Sequence, residues 1–90
     1  MYLHLGNETV VRTADVIGIF DLDRTTSTGS ITRSFLQAAE RELRVTNVAQ
    51  DLPRSFVVCR DDSGTRVYLS QIAPATLCRR AGLIQKEEHS

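Results

Sequence analysis

The run Asp15-Val16-Ile17-Gly18-Ile19-Phe20-Asp21 constrains this chain more than any other stretch of it. Three β-branched residues and an aromatic, bounded by an acid at each end, make a strand that is apolar on both faces. Such a strand needs cover above and below, so it predicts the central strand of a sheet. Gly18 within it predicts close approach by a neighbouring backbone. All of this cover has to come from 90 residues. At that size the surface-scaling relations bury roughly 64% of the unfolded chain's surface, a thin core for a lone subunit. Self-association is the expected remedy.

The flanking segments supply the rest. Tyr2 to Leu5 and Thr9 to Arg12 are β-prone and enclose Gly6-Asn7-Glu8, which predicts an opening hairpin. Leu22 to Gly29 reads as a loop, with Ser27, Thr28 or Ser30 placed to cap the helix that follows. From Ser30 to about Arg44, Ile31, Phe35, Ala38, Ala39 and Leu43 recur at steps of three and four, with Leu36 widening the stripe, the mark of one amphipathic helix. Val45 to Val48 is a short strand, and Pro53 blocks regular pairing before the next one. Arg54 to Arg60 and Thr65 to Leu69 flank Asp61-Asp62-Ser63-Gly64, a second hairpin. Pro74 opens a short helix that Gly82 stops, with Arg79 and Arg80 near its negative end. The expectation is an α+β fold: a small β-rich domain of short antiparallel strands and hairpins, with one amphipathic helix and a short C-terminal helix. It occupies residues 1–82, and residues 83–90 form a frayed tail.

Little here reads as catalytic. His4 lies in a strand and His89 beside the last residue, neither with a partner for acid–base work. Cys59 and Cys78 lack ligand spacing, so no metal site is expected. The glycines fall singly, so no phosphate loop or cofactor fingerprint is present. Asp21-Leu22-Asp23 has the Asp-x-Asp form of phosphotransferases with an Asp nucleophile, but the chain is short for such a core, and loop and capping roles explain the acids equally well. The start lacks the basic and apolar regions of a signal peptide, and no run is long enough to span a membrane. The reading is a cytoplasmic, non-catalytic protein with reduced thiols.

With 11 basic and 11 acidic residues the net charge is zero, so no overall field announces a polyanionic partner, and any nucleic-acid site must be local. Of the basic residues only Lys86 is not Arg, and Arg is the side chain suited to forked contacts with phosphate. The candidates are Arg12 after the second strand, Arg24 in the loop, Arg33 on the first turns of the helix, Arg54 opening the later strand and Arg66 across the hairpin. Arg24 and Arg33, if near the helix N-terminus, would join its free amides in favouring a phosphate. The competing reading places these arginines on solvated faces, paired with Asp15, Asp23, Glu40 or Glu42.

Ordered blocks carry a family resemblance: Met1-Tyr2-Leu3-His4-Leu5-Gly6, Val10-Val11, Asp15 to Leu22, Ile31-Thr32-Arg33-Ser34-Phe35-Leu36, Pro53 to Val58, Val67-Tyr68-Leu69-Ser70 and Ala75 to Arg80. Together they resemble the small bacterial extracellular matrix regulatory proteins, the RemA and RemB family, over about residues 1 to 82. The His-Leu-Gly start and the Ile-Phe-Asp run favour the RemB branch. The resemblance implies a regulator without enzymatic activity or cofactor, whose RemA relatives bind double-stranded DNA, activate biofilm matrix genes and close into rings of identical subunits. It carries a basic position onto Arg33 and Arg54 alone. Arg12 and Arg24 remain candidates from the residues themselves. Where the RemA branch has further arginines, this chain has Asp15 and Asp51-Leu52-Pro53. The second reading is therefore a protein-interaction module that oligomerises or docks onto another regulator and never touches DNA.

Overall fold

The computed structural model describes residues 1–22, 30–42 and 44–82, with the backbone alone over 30–33. The chain runs β1 (Tyr2–Gly6), β2 (Thr9–Arg12), a single 3₁₀ turn (Thr13–Asp15), β3 (Val16–Asp21), α1 (Ser30–Arg41), β4 (Val45–Asn47), β5 (Ser55–Asp61), β6 (Gly64–Ser70) and α2 (Pro74–Arg80). This is the expected α+β layout of two hairpins, one longer helix and a short C-terminal one. The loop with Arg24, the capping residues Ser27 and Thr28, the helix residue Leu43 and the tail beyond Gly82 lie outside the described residues. No helix among the described residues is long and apolar enough to cross a membrane.

The first hairpin turns through Asn7 and Glu8, both with positive φ (46° and 62°). That handedness matches the twist of paired strands, which is why two-residue hairpin turns adopt it. β1 and β2 form a small sheet of their own, with Leu3, Leu5 and Val11 buried on the inner side and Tyr2, His4, Val10 and Arg12 on the outer one.

The main sheet has the order β3-β5-β6-β4. Here the sequence reading needs correction: β3 is an edge strand, and the central, fully covered strand is β5, buried from Ser55 through Cys59. Ile17 is 61% exposed because the register slips between Val16 and Gly18, and this turns it outward. Gly18 also has a different reason from the expected one. A Cβ there would lie 2.7 Å from the ring of Phe20, so the close neighbour is a side chain and not a backbone. The Phe20 ring lies over Gly18 and stacks on Phe56 at 4.9 Å between centroids. The sheet is also not wholly antiparallel. β4 joins β6 in parallel, pairing Val45 with Val67 and Asn47 with Leu69. β3 and β4 thus run in one direction at opposite edges, and parallel strands require a crossover. α1 lies in that crossover.

Both faces of β5 are covered. On one side Val57 and Cys59 pack with Leu3, Leu5, Val11, Val48 and Leu77, so the small hairpin and α2 form that layer. On the other, Phe56, Val58 and Val67 pack with Ala39 and Leu36 of α1. Two buried hydroxyls fasten the first layer to the sheet. Ser70 Oγ donates to Leu5 O at 2.8 Å and accepts from Ile72 N–H at 3.1 Å, while Ser55 Oγ donates to Ile72 O at 2.8 Å.

Candidate nucleic-acid interface

Of the four predicted arginines, Arg54 and Arg12 are described with their side chains. Arg54 precedes β5, and its main chain is fixed on both sides: its N–H donates to Ser70 O at 2.8 Å, and its carbonyl accepts from Leu22 N–H at 3.0 Å. These bonds extend the ladder one residue beyond the strand and hold an exposed guanidinium-bearing residue at a defined place on the rim. The chain leaves β3 beside it, at Leu22, and α1 begins at Ser30. Arg33 lies in the first turn of that helix, with its side chain outside the described residues. Arg24 falls outside them altogether.

Arg12 is elsewhere. It ends β2 and pairs in register with Tyr2, where the hairpin overlies the Cys59 and Asp61 end of β5. The hairpin's turn lies at the other end, where Leu5 meets Ser70 and Gln50 Nε2 donates to Asn7 Oδ1 at 3.3 Å. The seven residues of β5 separate the two ends by about 20 Å. The structure therefore does not bring Arg12 and Arg54 together, and one short stretch of phosphate backbone could not engage both on one subunit. Arg66 shares the Arg12 end.

The connection before Arg54 is shaped by hydrogen bonds that sequence reading missed. Gln71 Oε1 accepts from the N–H groups of Gln50 (2.7 Å) and Asp51 (3.2 Å), and Asp51 Oδ1 accepts from Leu52 N–H at 2.8 Å. Asp51 thereby holds the turn, and Leu52 projects 80% exposed next to it. Nothing in the local sequence marks Gln71 as the partner, since it is contributed by the turn after β6. Of the ion pairs between arginines and acids, Glu42 Oε1 to Arg44 Nη2 at 2.8 Å is present among the described residues, and pairings through Asp23, Arg24 or the Arg33 side chain lie outside them. Asp21 of the Asp-x-Asp motif sits at the end of β3 opposite Ser55, and Asp23 lies outside the described residues. No three His, Cys, Asp or Glu side chains among the described residues come together as a metal site.

The family model described as RemA-like, extracellular matrix regulatory protein A-like, matches residues 2–81. The chain is also similar to extracellular matrix regulatory protein B of Bacillus subtilis (strain 168), 35% identical over 81 residues that cover 90% of each chain. A match across nearly the whole chain establishes that this protein belongs to the RemA-like family of extracellular matrix regulatory proteins, on its RemB branch.

Proposed function

We propose that the protein is a non-catalytic, cytoplasmic regulator of extracellular matrix (biofilm) genes that binds double-stranded DNA as a homo-oligomeric ring, with Arg33 and Arg54 supplying phosphate contacts. The observation that carries this reading is Arg54 itself, exposed and pinned through its backbone between Leu22 and Ser70. An arginine on a fixed main chain has only its side-chain freedom to lose on meeting a phosphate, whereas one on a mobile loop loses backbone freedom as well. Each such contact is weak alone. Repeated around a ring, the contacts act together, because after the first engagement the rest are intramolecular. Arg12 would reach a separate stretch of backbone from the opposite end of β5, and Arg24 would add to the Arg33 side. A ring also suits the exposed apolar side chains Tyr2, Val10 and Ile17, which shared subunit surface would cover.

The test is duplex binding across salt concentrations. Wild-type affinity is expected to fall steeply with salt, and Arg33→Ala and Arg54→Ala to lower both the affinity and the slope, by about 0.9 for each phosphate left without its guanidinium. Affinity independent of salt, or unchanged in both variants, removes the assignment. A second reading is favoured by Asp51 and the exposed Leu52, which precede Pro53 and Arg54 and offer an acidic and apolar tip. Such a tip fits a protein partner, and the protein would then be an assembly module that never touches DNA. Mass in solution with and without a duplex separates the two.

A further inference from the structure

At the end of the molecule away from Arg54, the edge of the small hairpin at Val10, Val11 and Arg12 borders β5 and β6 across an open cleft of about 180 Å³. The space is that of about six water molecules. Arg12 comes from the hairpin, Asp15 from the 3₁₀ turn, Cys59 and Asp61 from β5, and Arg66 and Tyr68 from β6. The register explains the convergence. Cys59 pairs with Arg66 and with Val16, and Asp61 pairs with Gly64, so Asp61 and Arg66 are diagonal neighbours on one face. Cys59 is buried and forms part of the floor.

Two arginines and two aspartates thus line one cleft, and none of the four is ion-paired with another: the ion pair found among the described residues is elsewhere. Asp61 Oδ1 accepts from Ser63 N–H at 2.8 Å, so the turn engages one of its two oxygens. Both carboxylates reach the floor electrostatically. After burial, they are what push the Cys59 thiol up to about 11, while at Tyr68 the same carboxylates act against Arg66. The floor therefore feels both signs of charge.

This pattern selects among ligands. A simple anion meets two carboxylates, and a simple cation meets two guanidinium groups, so each trades attraction for repulsion. A neutral apolar molecule would strip water from four charges and return nothing. A molecule with a positive and a negative group a few ångströms apart gains on both sides. We propose that this cleft is a binding site for a small zwitterion of the amino-acid class, its carboxylate held by Arg12 and Arg66 and its ammonium by Asp15 and Asp61. The proposal goes beyond DNA binding and does not use Arg33 or Arg54.

The experiment is a titration of the ¹⁵N-labelled full chain, without DNA and at constant ionic strength, with L-alanine, L-alaninamide and N-acetyl-L-alanine, followed by amide shifts. L-Alanine is expected to give saturable shifts at Val11, Cys59 and Arg66, and the two singly charged relatives are not. Asp15→Asn and Arg66→Gln should each weaken the response about tenfold while the rest of the spectrum stays folded. The proposal is overturned by any of four results. These are no saturation below about 10 mM, equal shifts with a singly charged probe, undiminished binding in both variants, or the same shifts produced by concentrating the protein alone, which would give the cleft to a second copy. Because the titration contains no duplex, its failure leaves the DNA reading untouched, and the reverse also holds.

Discussion

At the scale of single residues, the structure shows where side-chain chemistry and backbone geometry conflict. Glu8 sits at φ 62°, a left-handed conformation that costs a residue with a Cβ roughly 1–2 kcal/mol. Glu8→Gly is expected to stabilise the fold by about 1 kcal/mol in urea unfolding, and a loss of stability would show that the Glu8 side chain does something the backbone does not reveal. Cys59 sets a dependence on pH. Burial first, then Asp15 and Asp61, raise its thiol from 9.0 to about 11, so the folded chain keeps a proton that the unfolded chain has already released. Its contribution to stability is complete below pH 9.0 and is lost as pH climbs towards about 11. Under reducing conditions the urea midpoint should fall through that window, with Tyr68, raised chiefly by burial, adding to the slope. Cys59→Ala should flatten the early part of the fall. A midpoint that rises with pH there would contradict the sign.

Among elements, what could be read from the chain was what repeats locally. The hairpins announced themselves through alternation around turn residues, and α1 through the spacing of Phe35, Ala38 and Ala39. The placing of β3 could not be read, because apolarity on two faces says that a strand is covered and not which strand lies beside it. Phe20 meets its need by stacking on Phe56, and Ile17 escapes outward at the bulge, so β3 occupies an edge with a central strand's composition. The parallel placing of β4 was equally hidden, since three residues carry no sign of direction. The contrast is measurable. Val57→Ala, at the fully buried centre, should cost about 1–3 kcal/mol, while Ile17→Ala should change stability by no more than about 0.5 kcal/mol. Equal costs would mean that β3 is covered in solution. For the candidate site, the arginines could be found by type and Arg54 by its position, but the separation of Arg12 from Arg54 and the hold of Gln71 on Asp51 arise from pairings dozens of residues apart.

For the whole molecule, a core split into two thin layers on either side of β5 leaves the balance of stability to association. If copies share their exposed apolar surface as proposed, the melting temperature should rise as protein concentration increases from about 1 to 100 μM, because mass action favours the assembled folded state. A constant melting temperature together with a monomer mass would remove the oligomer from the proposal. The bond from Ser70 Oγ to Leu5 O has a further consequence for how this molecule is made. It joins positions 65 residues apart, and the layer containing Leu3, Leu5 and Val11 has no sheet to lie on until β5 and β6 exist. On a ribosome adding about 5–20 residues per second, that wait lasts roughly 3–13 s. For that interval the side chains of Leu3, Leu5 and Val11 are an apolar ribbon open to water, the stretch most exposed to aggregation while the chain is being made.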